Sequence, residues 1–237
     1  MLYWLYQQFG QGADANPILN LLRYQTFRTS LAVAISLITV VAMGSRFIRW
    51  MQAKQGRGQP IRADGIQRHI IEKAGTPTMG GLMFLAGISM AVFLVGDLSN
   101  VYVWAVMLVT LSFGFLGFLD DYAKVTKQTT AGISGVFRLV VEVSVAGGAV
   151  LMMMFLGQPS PEGAHISTSI SFPVFKDLLL NIGLFYVVFG ALVIVGASNA
   201  VNFTDGLDGL ATVPVMIAAA TFGLIAYLVG NAVFSNY

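Results

Sequence analysis

Charge-free apolar runs alternate with short polar clusters along this chain. The apolar windows fall at about 29–48, 75–95, 101–119, 136–156, 178–198 and 209–229, and each supplies roughly the 20 residues a helix needs to cross the hydrocarbon core of a bilayer. The pattern predicts an all-α, polytopic transmembrane helix bundle of six spans, forming a single integral membrane domain over 1–237. Residues 1–27 read as a partly amphipathic pre-membrane segment. The fourth window is the least clean, because Arg138 and Glu142 lie in its first turns. Such a pair either marks a polar path or satisfies itself as an ion pair facing the bundle. Gly147 and Gly148 in the same window predict close helix packing.

Composition agrees with a membrane protein. Of 237 residues, 56% are hydrophobic and only 10% charged, and the mean hydropathy of +0.75 is far above that of soluble domains. The absence of cysteine excludes disulfides and thiolate metal sites. A net charge of +2 gives no general attraction to nucleic acid. The opening "MLYWLYQQFGQGADANP" has no basic start, so no cleavable signal peptide is expected.

The distribution of charge sets an orientation. Arg46, Arg49, Lys54, Arg57, Arg62, Arg68 and Lys73 lie between the first two windows, and Lys124, Lys127 and Arg138 around the junction of the third and fourth. These are ten of the thirteen basic residues, and short basic loops stay cytoplasmic. The amino terminus is then outside. Three unusual segments, "EKAGTPTMGG" (72–81), "DDYAKVTK" (120–127) and "SNAVNFTDGLDG" (198–209), all face the cytoplasm.

Asp120 and Asp121 end the third window, at the carboxyl end of a helix, where the dipole disfavours each anion by about 0.3–1 kcal/mol. Capping does not explain them, and an i, i+4 ion pair with Lys124 accounts for only one. Two carboxylates pointing about 100° apart suit a hard cation, or a cation beside a reacting group. Asp205 and Asp208, with Asn199 and Asn202 upstream, exceed what an N-cap for the sixth span requires, and offer donors and acceptors to a polar ligand. In "AGTPTMGG", Thr76 and Pro77 make a sound helix start. A glycine-flanked helix amino terminus beside Lys73 also suits phosphate. The Walker pattern is absent. Together the segments describe a nucleotide-diphosphate site with Mg²⁺ at a membrane surface.

"KAGTPTMGG", "FLDDYAK" and "SNAVNFTDGLDGLA" resemble the phospho-N-acetylmuramoyl-pentapeptide transferase family, within the polyprenyl-phosphate N-acetylhexosamine-1-phosphate transferase superfamily. The resemblance covers about residue 20 onward. It implies an Mg²⁺-dependent enzyme of bacterial peptidoglycan synthesis in the cytoplasmic (inner) membrane. The reaction implied passes phospho-N-acetylmuramoyl-pentapeptide from UDP-N-acetylmuramoyl-pentapeptide to undecaprenyl phosphate, giving lipid I and UMP. By the family's motifs, Asp120, Asp121 and Lys124 are catalytic, with the two aspartates also candidate metal ligands. Lys73, Thr78, Asn202, Asp205 and Asp208 match positions lining the nucleotide-sugar pocket. The family also implies a homodimer. Its members have about ten spans, with a third essential aspartate and a histidine-rich motif in later loops, so six spans imply an amino-terminal portion. His69 and His165 are isolated and do not replace that motif. Three rival readings are another UDP-N-acetylhexosamine transferase, an inactive fragment and a transporter. A transporter would place acidic residues near mid-bilayer.

Overall fold

A computed structural model of the chain describes residues 1–10, 17–55, 77–157, 168–172, 175–205 and 209–230, with only the backbone described at 175–177. Eight α-helices lie among these residues: α1 (Leu2–Phe9), α2 (Pro17–Asn20), α3 (Gln25–Gln55), α4 (Gly81–Val95), α5 (Val101–Lys127), α6 (Gly135–Leu156), α7 (Phe185–Thr204) and α8 (Thr212–Val229). A 3-10 turn, Leu21–Arg23, leads into α3, and a two-stranded antiparallel hairpin, β1 (Ser169–Phe172) and β2 (Phe175–Asn181), precedes α7. Helices α3, α5, α6, α7 and α8 are long and apolar enough to cross a membrane, and α4 is a shorter apolar helix of 15 residues. Every apolar window thus carries a helix, and the protein is a multi-pass helical membrane protein.

The helices pack in chain order, α3 on α4, α4 on α5, α5 on α6 and α6 on α7. Small residues allow the tightest of these approaches. Ala146, Ala149 and Val150 of α6 and Ala191 and Val195 of α7 are buried. A Cβ on Gly190 would lie 2.8 Å from a methyl of Val150. Gly148, expected to make such a contact, would meet nothing within 4 Å, and Gly147 only Val187 at 3.9 Å. Close packing here uses Val150 of α6 against Gly190 of α7, and Ala146 of α6 in one buried cluster with Ala191 and Val195 of α7. Gly87 of α4 does the same against α3, where an added Cβ would sit 2.8 Å from Val40 and 3.0 Å from the carbonyl of Ser36.

Of the boundaries that differ from the apolar windows, four have an identifiable structural reason. The third window ends at 119, but α5 runs on to Lys127 and closes on Gln128, which adopts φ 49° and donates its N–H to the carbonyl of Lys124. Asp120 and Asp121 are therefore inside a helix whose last turn carries Lys124 and Lys127, cations that favour that end. The second window begins at 75, whereas α4 starts at Gly81. Pro77 is not its first helical residue, because Met79 takes φ 71° and the peptide of Thr78 is engaged elsewhere. The fifth window begins at 178, but 175–181 form β2, with Ser169 opposite Asn181, Ile170 opposite Leu180 and Ser171 opposite Leu179. Asn181 closes this strand, its Oδ1 accepting from the N–H of Gly183 at 2.8 Å, and Gly183 takes φ 54°. The helix follows at Phe185. Finally, α7 extends through Thr204, so Asn199 and Asn202 are helical and Asp205 is its C-cap, not the start of the next helix.

Candidate active site

The ends of α5, α6 and α7 and the segment before α4 enclose a cavity of about 470 Å³, lined among others by Met79, Asp120, Asp121, Lys124, Arg138 and Asn202. Five positions that the sequence singles out, Thr78, Asp120, Asp121, Lys124 and Asn202, are at this cavity or bonded to its wall. Lys73 and Asp208, with His69 and His165, lie outside the described residues. Asp205 is exposed at the end of α7 and is not among the residues lining the cavity.

The two aspartates are held differently. Asp120 Oδ2 pairs with Lys124 Nζ at 2.6 Å, and its Oδ1 accepts from the backbone N–H of Ile133 at 2.9 Å. The ion pair follows from i, i+4 spacing on α5. The second bond needs the chain after α5 to fold back closely, and Gly132 permits it, since a Cβ there would collide with the Asp120 carboxylate. Asp121 Oδ2 accepts from Thr78 Oγ1 at 2.8 Å, while its Oδ1 stands 3.9 Å from Lys124 Nζ. Asp120 is thus committed through both oxygens, and Asp121 keeps one comparatively open.

Thr78 is itself clamped. Its N–H donates to Gln55 Oε1 at 2.9 Å and its carbonyl accepts from Gln55 Nε2 at 3.3 Å. The last residue of α3 therefore fixes the segment that carries the threonine. Met79, buried beside it, pays in backbone strain for the sharp turn into α4, since non-glycine residues at positive φ are disfavoured by roughly 1–2 kcal/mol.

The far wall is built from α6 and α7. Arg138 Nε donates to Glu142 Oε1 at 2.8 Å, so the two charges of the fourth window do pair with each other. Glu142 Oε2 accepts from Asn199 Nδ2 at 2.7 Å. With its amide turned so that Oδ1 faces the guanidinium, Asn202 accepts from both terminal nitrogens of Arg138, at 2.9 and 2.8 Å. Gln55 carried no signal in the sequence, since a glutamine ending an apolar helix has many ordinary uses. Arg138 and Glu142 were visible as a pair of charges one turn apart, but their bonds to Asn202 and Asn199 were not.

The donor set suits a hard divalent cation. Among the described residues no three His, Cys, Asp or Glu side chains form a metal cluster. Two carboxylates side by side are nonetheless the usual protein share of an Mg²⁺ site that is completed by substrate phosphates and water.

The chain is similar to known proteins along its length. Residues 73–85 match the phospho-N-acetylmuramoyl-pentapeptide-transferase signature 1. Proteins carrying the name phospho-N-acetylmuramoyl-pentapeptide-transferase are similar along the chain. Those of Phenylobacterium zucineum (strain HLK1) and Caulobacter vibrioides (strain NA1000 / CB15N) are 65% and 60% identical over 237 residues, covering 100% of this chain and 64% of each relative. That of Maricaulis maris (strain MCS10) is 54% identical over 233 residues, 98% of this chain and 64% of the relative. The chain therefore spans 64% of the length of these curated relatives. The model of glycosyl transferase family 4 matches residues 103–236, more than half of the sequence and including the acid pair, Arg138 and both asparagines, and the chain belongs to that family.

Proposed function

We propose that the full-length protein is the phospho-N-acetylmuramoyl-pentapeptide transferase of peptidoglycan synthesis, working at the inner face of the bacterial cytoplasmic membrane. In this reading an oxygen of undecaprenyl phosphate forms a bond to the sugar-bearing phosphorus of UDP-N-acetylmuramoyl-pentapeptide. The bond from that phosphorus to UMP breaks, and lipid I and UMP result. One observation carries the reading: the hydroxyl of Thr78, inside the segment that matches the transferase signature, bonds to Asp121 at 2.8 Å. A second acidic residue, a lysine and an asparagine line the same cavity.

The residues divide the work. Phosphoryl transfer asks mainly for positioning and for neutralisation of charge on the phosphate oxygens. Lys124, held by Asp120, presents a cation at the cavity. Asp121, whose Oδ1 is the less committed oxygen, accepts the proton of the lipid phosphate or ligates the metal, and Thr78 fixes its rotamer. Asp120 orients Lys124 and ties the chain at Ile133 into the wall. Asn202 offers an amide toward the sugar or base, and by resemblance to the family's motifs Lys73, Asp205 and Asp208 are assigned to the nucleotide-sugar side. Mg²⁺ held by the aspartate pair would screen the diphosphate and polarise the bond to the leaving group.

The test is release of UMP by the purified full-length protein given UDP-N-acetylmuramoyl-pentapeptide and undecaprenyl phosphate, with Mg²⁺ and again with EDTA. Metal-dependent UMP together with lipid I is expected. Turnover only with UDP-N-acetylglucosamine would move the protein to another branch of the superfamily. The same assay on residues 1–237 shows whether this portion is active alone.

A further inference from the structure

Glu142 is 2% exposed, buried in a helix among alanines and valines, yet it lies outside the cavity that the transfer reading uses. A buried carboxylate is unfavourable unless its charge is paired and its oxygens are bonded. Here both are engaged, Oε1 by Arg138 at 2.8 Å and Oε2 by Asn199 at 2.7 Å. Stability alone is a poor reason for such a pair, because apolar residues of similar volume usually serve a helix interface as well or better. The asymmetry of the pair is the informative feature. Its anionic end is sealed between α6 and α7, while its cationic end lines the cavity with Asp120, Asp121 and Lys124.

Of the five N–H donors of a guanidinium, one goes to Glu142 and one from each terminal nitrogen to Asn202, which leaves one N–H on each terminal nitrogen of a side chain that lines the cavity. Each can donate singly to a phosphate oxygen, a charge-assisted bond stronger than one from a neutral donor. We propose that Glu142 is a positioning residue for the phosphoryl group being transferred: with Asn199 it fixes the Arg138 side chain so that its remaining N–H groups donate to phosphate oxygens of the UDP-sugar, opposite Lys124. This rests on the transfer reading above. Arg138 is then a binding residue, and Glu142 acts only through it.

Full-length Glu142→Ala, Arg138→Ala and the double variant are compared by UMP release against UDP-N-acetylmuramoyl-pentapeptide concentration. Each single variant is expected to lose about 30-fold or more in kcat/KM, chiefly through KM. The double variant should be no worse than Arg138→Ala, because Glu142 has no other route to the substrate. Glu142→Asp, which keeps the charge one methylene short, should recover part of the loss, and it replaces the alanine variant if that variant does not elute as a folded species. A Glu142 variant that folds and turns over like the wild type overturns the proposal. So do losses that multiply in the double variant, the mark of an independent packing role. Absence of UMP from the wild type overturns the transfer reading instead.

Discussion

Thr78 and Asp121 lie 43 positions apart in the chain and meet at 2.8 Å, and this bond joins a helix-start motif to the proposed active site. A hydrogen bond to a charged group contributes about 1.5–3 kcal/mol net. Thr78→Val should therefore cut kcat/KM for UMP release by at least about tenfold, while the variant still elutes as a folded species, since valine keeps the side-chain volume. Asp121→Asn and Asp120→Asn should each abolish lipid I formation by the full-length enzyme while leaving insertion and monodispersity intact. Near-normal turnover in both would remove the catalytic assignment. At this scale the sequence was most informative about the acid pair, because two adjacent carboxylates after nineteen uncharged residues, 101–119, have no inexpensive structural use. It was least informative about Gln55, whose importance exists only through the peptide it grips.

Helices were legible because the apolar windows are long; their ends were not, because they are set by backbone geometry, strand pairing and side-chain contacts that hydropathy does not report. The start of α4 is displaced to Gly81 by the clamp on Thr78 and the positive φ of Met79. The start of α7 is displaced by strand pairing that hydropathy does not report, since Leu178, Leu179 and Leu180 are as apolar in a hairpin as in a span. The connection between α5 and α6 is a further case, where Gly132 stands against the Asp120 carboxylate. Overpacking of this kind costs about 1–3 kcal/mol. Gly132→Ala should push that carboxylate off the Ile133 N–H and lower turnover about tenfold or more, whereas Gly148→Ala, where an added methyl meets open space, should leave turnover within about twofold. Equal activity in the two variants would show that the close approach at Gly132 is dispensable.

Across the whole molecule, the reading that three polar segments meet at one end of the bundle is supported by Thr78, Asp121, Arg138 and Asn202 gathering around one cavity. Short basic loops favour the cytoplasmic side, so that end is expected to face the cytoplasm. Residues 1–237 contain no cysteine, so single cysteines introduced at exposed Ser99 and Thr129 can report the two faces. In intact cells stripped of their outer envelope, a membrane-impermeant maleimide should label Ser99→Cys and leave Thr129→Cys unmodified until the membrane is opened. The reverse pattern would invert the topology and remove the site from its nucleotide-sugar supply. The assembly order carries its own consequence. Asp120, Asp121 and Lys124 emerge with α5, but Asn202, which braces Arg138, and Asn199, which braces Glu142, arrive only with α7. A nascent polypeptide halted after α6 would already carry the acid pair with Thr78 and Lys124, yet its arginine wall would stay unbraced until the seventh helix had been handed to the bilayer.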